Sequence, residues 1–363
     1  MERLVRMCAT SGGCETSLFC INSMFWSVVF IILYSTSTVL SQEQEQLRLG
    51  VMLPEYQPGM RHWPYFTQMV QPGIDIALGK VQETILPKHN VSYLALDTRC
   101  SNQMSMILSV HMKYKYECDV FLGPACEYAV APTARFCDYW DVPLITAGAL
   151  AQGFSKDYFN TITRMQGSYD KFAYSLVEFF ERQNWNTTIL LVDEPIDGEI
   201  KDCFFCMGGV SWTFHEHEIA HEVEGFDQLT EDSTKQLLEK VEPVARIVVM
   251  CASDDAIRKI MLAAHDLGMT NGEYAFINIK LFDSNYFGNN KLVWHREGDT
   301  AEENERAKQA FRALMTFTLR KPNTPAYAKF AEDVKERARR DYNFDFDAVN
   351  ETIQNTTDLP RRP

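Results

Sequence analysis

Short apolar runs alternate along this chain with stretches whose apolar residues recur at helical spacing. Leu47-Arg-Leu-Gly-Val-Met-Leu53 reads as a first strand, stopped by Pro54. Pro72 opens a helix with Ile74, Ala77, Leu78, Val81 and Ile85 on one face. Val91 to Leu96 is a second strand, and a Met- and Leu-rich helix follows around Met104 to Met112. Asp119 to Leu122 and Val142 to Thr146 are two further strands, with a helix from about Ala129 to Tyr139 between them.

The pattern then restarts. Phe172, Leu176, Phe179 and Phe180 mark a helix, Thr188 to Val192 a strand, and a helix runs from Cys203 into Trp212. Arg246 to Cys251 is a buried strand. Asp254 and Asp255 begin a helix that continues over Ala256 to Leu267, with Gly268 past its end. Tyr274 to Ile279 is the last clear strand, and Phe282 to Thr300 reads as loop. Ala301 to Phe317 reads as helix, Lys321 to Pro325 breaks it, and a charged helix covers Ala326 to about Tyr342. Strands alternating with helices predict parallel sheets covered on both faces. Two successive sets meeting near Ala147-Gly148 predict a bilobed, doubly wound α/β protein. The expected boundaries are a first lobe over 47–148, a second over 149–279, an incomplete return to the first over 280–346, and a polar tail over 347–363.

The amino terminus bears on compartment. Arg3 and Arg6 precede the apolar run Met24 to Tyr34, small residues fill Ser35 to Ser41, and polar Gln42 to Gln46 follows. The run is shorter than the roughly 20 residues of a membrane span, so 1–41 reads as a signal peptide. An uncleaved anchor over Phe19 to Val39 is the alternative. Cleavage removes Cys8, Cys14 and Cys20 and leaves Cys100, Cys118, Cys126, Cys137, Cys203, Cys206 and Cys251. That odd set requires a free or interchain thiol. Sequons at Asn90, Asn186, Asn350 and Asn355 agree with an extracellular chain. A formal charge of −14 argues against nucleic acid and mildly favours a cationic ligand.

Catalytic signatures are missing: there is no G-x-S-x-G elbow, no P-loop and no dinucleotide fingerprint after the first strand. His215-Glu-His-Glu-Ile-Ala-His221 has two readings. On a strand His215 and His217 would share a face toward a metal; otherwise the run is a polar strand edge leading into Glu222 and Glu224. Cys203-Phe-Phe-Cys206 has redox spacing without the thioredoxin βαβ setting.

The most specific blocks are Val120-Phe-Leu-Gly-Pro-Ala-Cys126, Val142-Pro-Leu-Ile-Thr-Ala-Gly148, Cys203-Phe-Phe205, Val248 to Ala256 and Asn323-Thr-Pro-Ala-Tyr327. In order and spacing they closely resemble the extracellular domain of natriuretic peptide receptors, the receptor guanylyl cyclases and their cyclase-free clearance relative. The match covers about Leu47 to Asn350. The resemblance implies a type I periplasmic-binding-protein fold that binds a peptide hormone between two receptor copies, with homodimerisation through the first lobe. It implies disulfides Cys100–Cys126 and Cys203–Cys251. It places ligand contacts at Arg135, Tyr128, Phe204 and Phe205, and further positions at Asn102 and Trp212, where this chain departs from the hormone receptors' aspartate and methionine. It adds a chloride held by the backbone of Ala125 and Cys126, and no other cofactor or metal. The family's kinase-like and cyclase domains, its membrane span, and a further helix with closing strands would lie beyond this sequence. The chain is therefore expected to be a truncated, non-enzymatic hormone-binding region, secreted as given or the plasma-membrane ectodomain of a longer receptor. A secreted amino-acid-like binding protein of the same fold is the alternative, distinguished by a ligand in the cleft rather than on an exposed aromatic face.

Overall fold

A computed structural model describes residues 45–55, 65–156, 158–194, 202–281, 294–296, 298–320 and 322–346. The expected signal peptide over 1–41, the tail over 347–363 and the sequons at Asn350 and Asn355 lie outside them. Glu45, Gln46 and Lys88–Asn90 form a contact unit of their own, in which His89 Nε2 lies 3.3 Å from Glu45 Oε2. The other unit, Leu47–Pro87 and Val91 onward, holds the helices and nearly all of the strand residues.

Among the described residues, ten strands form two five-stranded parallel sheets. In the first, β1 (Glu45–Leu53), β2 (His89–Asp97), β3 (Val120–Leu122), β4 (Leu144–Thr146) and β5 (Ile162–Arg164) lie in the order β2-β1-β3-β4-β5. In the second, β6 (Thr187–Asp193), β7 (Ala220–Phe226), β8 (Ile247–Cys251), β9 (Ala275–Ile279) and β10 (Leu314–Phe317) lie in the order β10-β9-β8-β6-β7. The two orders are the same topology met twice. Each reverses direction beside its first strand, and ligand crevices form outside the carboxyl ends of strands at such a point.

Helices cover both faces of each sheet. On the first, α2 (Asn102–Tyr114) packs with α3 (Glu127–Trp140), and α1 (Thr67–Thr84) packs with α9 (Pro325–Tyr342). On the second, α4 (Tyr169–Gln183) packs with α5 (Asp202–Glu216). On its other face α6 (Glu231–Val241) and α8 (Ala301–Ala310) both pack against α7 (Asp254–Asp266). All five β8 residues are buried because helices cover both faces of that strand. One core joins Phe180, Leu190, Val249 and Phe214, and the other joins Leu191, Val248, Leu238 and Ile257. Each such fully buried side chain stabilises by about 1.5–3 kcal/mol.

Local chemistry sets the helix ends. Ser253 Oγ accepts the Ala256 N–H at 3.4 Å ahead of Asp254 and Asp255, and Gly268 beyond α7 takes φ +74°. Thr324 caps α9, and Pro325 occupies its first position.

Three expectations need correction. β5 pairs with β4, so the second lobe begins after Arg164 rather than at 149. Three residues give too short an apolar run to announce a strand, and its pairing makes it one. Residues 301–317 are not one helix: α8 ends at Ala310, and Leu314–Phe317 pairs with β9 in the second sheet. Pairing favours Leu-Met-Thr-Phe as strand over continuation of the helix. The return to the first lobe therefore starts later than 280 and is made by α9 against α1. Finally, His215 lies on α5, which runs to Glu216, so His215 and His217 do not share a strand face.

Candidate ligand-binding site

The turn after β3 builds the first half of the site. Gly123 (φ +82°) and Pro124 end the strand, and Cys126 caps α3 in extended conformation. Cys126 is joined to Cys100, with Cα atoms 5.6 Å apart. That bond ties the start of α3 to the start of α2, where Ser101 Oγ accepts the Met104 N–H at 3.4 Å and Asn102 is exposed. Ser109 Oγ donates to Thr133 Oγ1 at 3.0 Å deeper between the same helices.

Along α3, Tyr128 and Arg135 are seven residues apart and so share a helix face. Arg135 is held in place. Its Nη1 donates to the Ala131 carbonyl at 2.8 Å, and its guanidinium lies 5.2 Å from the Phe159 ring and 5.8 Å from the Tyr158 ring. Such cation–π pairs are worth about 0.5–1 kcal/mol at exposed sites and fix the direction of the fork.

The second lobe supplies α5. Cys203 in its first turn is joined to Cys251 at the end of β8, with Cα atoms 5.3 Å apart. Phe205 then packs edge-on against Tyr128 of the first lobe, centroids 5.3 Å apart, and against Phe204 at 5.5 Å. Adjacent helix residues diverge, and these two divide accordingly: Phe205 packs on the second-lobe core, whereas Phe204 is 45% exposed. Trp212, two turns further along α5, is also exposed. Tyr128, Phe205 and Phe204 are therefore brought together across the two lobes. Arg135 lies on the same α3 face, while Asn102 and Trp212 stand on the flanking helical segments.

Several neighbours had no signal in the sequence. Tyr158 and Phe159 cradle Arg135 from the segment between β4 and β5. Glu127, which opens α3, is buried and accepts N–H bonds from Leu150 at 2.7 Å and Ala151 at 3.4 Å. In sequence it reads only as a first-turn acid, because its burial depends on packing between the lobes.

The remaining polar candidates have other employment. His221 Nε2 is 2.8 Å from Ser211 Oγ and its Nδ1 2.8 Å from the Ile219 carbonyl, while the His217 ring packs on Tyr174. Among the described residues no three His, Cys, Asp or Glu converge to hold a metal. Among the described residues the three thiols outside the disulfides, Cys118, Cys137 and Cys206, are all buried. Burial pushes the thiols of Cys137 and Cys206 up to about 12, which makes them poor nucleophiles. Asn90 and Asn186 are exposed.

Residues 69–357 match the family described as the receptor family ligand binding region. Atrial natriuretic peptide receptor 3 of Bos taurus is 35% identical over 297 residues, 78% of this chain and 54% of the relative. The Homo sapiens receptor 3 is 35% identical over 283 residues, 75% and 51% respectively. Atrial natriuretic peptide receptor 2 of Bos taurus is 27% identical over 330 residues, 87% and 30%. The chain thus spans about half the length of the receptor 3 relatives it matches. A solved leucine-binding protein from Thermotoga maritima superposes with TM-score 0.53 at 16% identity, covering 86% of this chain and 80% of that one. That likeness establishes the bilobed periplasmic-binding-protein fold.

Proposed function

This chain belongs to the receptor ligand-binding family, with natriuretic peptide receptors among its relatives, and from that premise we propose that it binds a peptide hormone. The observation that carries this reading is the run Tyr128–Phe205–Phe204 across the lobes, with Arg135 on the same α3 face. Exposed aromatic rings beside a tethered guanidinium suit a peptide carrying an apolar side chain and a carboxylate. Asn102 and Trp212 extend the contact at its margins.

The homodimer implied by the resemblance would use α2 and α3. Ile107, Val110 and Tyr114 are exposed along α2, and Tyr139 on α3 is 85% exposed beside the stacked pair Phe136–Trp140. Scattered single apolar residues need no partner, whereas this group lies on two packed helices. Chloride at the Ala125 and Cys126 amides belongs to the same reading, supported by their place at the positive end of α3. The chain is a receptor region without catalytic machinery of its own, and it works outside the cell. Among the described residues no helix is long and apolar enough to cross a membrane.

The test is titration of the purified chain with disulfide-ringed natriuretic-like peptides, against wild type and Arg135→Ala. Saturable binding that the substitution weakens supports the reading. Binding of a free amino acid with no peptide response would transfer the function to the cleft.

A further inference from the structure

The connection between α7 and β9 carries a dipeptide that ligand binding does not explain. Asn271-Gly272 is the one Asn-Gly pair in the sequence. Asn271, Gly272 and Glu273 are all exposed, while Tyr274 behind them is buried in the second-lobe core. The turn is anchored on both sides. Ahead of it, His265 Nδ1 lies 2.8 Å from Thr270 Oγ1. Beyond it, Arg246 Nε donates to Glu273 Oε1 at 3.1 Å, and the Arg246 guanidinium lies 4.8 Å from the Tyr274 ring.

Between those anchors, the atoms needed to close a ring are unobstructed. Asn271 Oδ1 accepts the Glu273 N–H at 2.9 Å, which turns the side-chain amide back along the chain and polarises its carbonyl. Gly272 takes φ +101°, and nothing lies within 4 Å of the place a Cβ would occupy. Its N–H donates to no group among the described residues. Asn184 and Asn343, at the ends of α4 and α9, provide the contrast. Both are exposed, but the residue after each is bulky and its N–H is engaged. Trp185 donates to the Phe180 carbonyl at 2.9 Å, and Phe344 donates to the Ala338 carbonyl at 3.0 Å.

We propose that Asn271 is a site of spontaneous covalent modification in the folded protein. The Gly272 nitrogen attacks Asn271 Cγ: a C–N bond forms, the Cγ–Nδ2 bond breaks, and the amide leaves as ammonia with the proton lost from Gly272. Water then opens the cyclic imide at one of its two carbonyls. Opening at the Asn271 main-chain carbonyl leaves isoaspartate, with the chain running through the former side chain, and opening at Cγ leaves aspartate. Neither route needs an oxidant or a reductant. Both products add a negative charge beside the Arg246–Glu273 pair, and isoaspartate also lengthens the backbone ahead of Tyr274 and β9. The turn enters β9 at its amino end, whereas Cys251 stands at the carboxyl end of β8 beside α5. The inference is therefore independent of the proposed function, and its failure leaves that function standing.

The experiment is incubation of the purified, folded chain in mildly alkaline buffer, sampled over days and read by peptide mapping with fragmentation that distinguishes isoaspartate from aspartate. Asn271 should convert faster than Asn184 or Asn343 by about tenfold or more, with an acidic form of the protein accumulating in step on ion exchange. Gly272→Ala should slow the conversion by about tenfold, since a Cβ then crowds the attacking nitrogen. Equal conversion at Asn271, Asn184 and Asn343 overturns the proposal, as does conversion of Asn271 only after unfolding in urea. Should the Ala variant fail to fold at this positive φ, Asn271→Gln replaces it. That variant should form no acidic species in the same period, and one that accumulates at the wild-type rate overturns the assignment.

Discussion

Gly148 lies so close to Ala125 that a Cβ placed on it would stand 1.9 Å from the Ala125 carbonyl oxygen. The obstacle is backbone, which cannot swing aside as the end of a long side chain can. Thr146 reinforces the approach: its Oγ1 donates to the Pro124 carbonyl at 2.5 Å and accepts the Gly148 N–H at 2.9 Å. The loop after β4 is thereby pressed onto the turn that carries Cys126, Glu127 and Tyr128.

Gly148→Ala should therefore destabilise the fold by about 1–3 kcal/mol, the range of an overpacked site, read as a lower urea midpoint. Gly153 is the control. Nothing lies within 4 Å of its added Cβ, so Gly153→Ala should be neutral or slightly stabilising. Equal midpoints for the two variants would show that the loop can lift away.

Non-reducing peptide mapping should recover Cys100–Cys126 and Cys203–Cys251. Replacing Cys203 and Cys251 together by Ser should cost about 2–4 kcal/mol in unfolding free energy. Recovery of Cys203 joined to Cys206 would contradict the arrangement at α5, where Cys206 faces the core as a free thiol.

The doubly wound architecture was legible because it rests on patterns within single elements. Buried runs such as Ile247–Cys251 and capped amphipathic helices such as Asp254–Asp266 declare themselves locally. β5 and β10 did not, since three or four residues carry too little period and become strands only through β4 and β9. The same limit governs the site. Arg135 and Tyr128 were named only through the family resemblance, whereas Glu127 depends on a carboxyl of one lobe meeting backbone of a distant loop. No spacing in the sequence encodes that meeting.

Arg135→Ala should weaken peptide binding, with the loss mainly in the off-rate and of about 2–5 kcal/mol if its carboxylate pair is desolvated. Arg135→Lys should also weaken it, because lysine keeps the charge and loses the fork. Tyr158→Ala removes one ring from beside the guanidinium and should give a smaller loss by the same route. Surface plasmon resonance separates these outcomes. An unchanged off-rate in Arg135→Ala would remove the residue from the site.

Ile107→Glu places a charge in the exposed α2 face beside Val110 and should abolish dimerisation without lowering the unfolding midpoint. Sedimentation velocity at several concentrations reads the first effect, and urea titration reads the second. A variant that dimerises like wild type would exclude this face.

Tyr128 and Phe205 are the pair on which the two lobes touch within the proposed site, and their roles differ. Phe205 packs on the second-lobe core, whereas Tyr128 is 39% exposed. An edge-to-face pair contributes about 0.5–1.5 kcal/mol beyond burial, so a double-mutant cycle through Tyr128→Ala and Phe205→Ala should show coupling of that size in stability. Phe205→Ala should in addition cost more than Tyr128→Ala, since only Phe205 leaves a gap in the core. The cycle repeated on peptide affinity then distinguishes two arrangements. If the rings only brace the lobes, the binding losses are coupled as the stability losses are. If Tyr128 also touches the peptide, its substitution weakens binding even where Phe205 is already Ala. Additive stability losses would mean that the rings do not meet in solution.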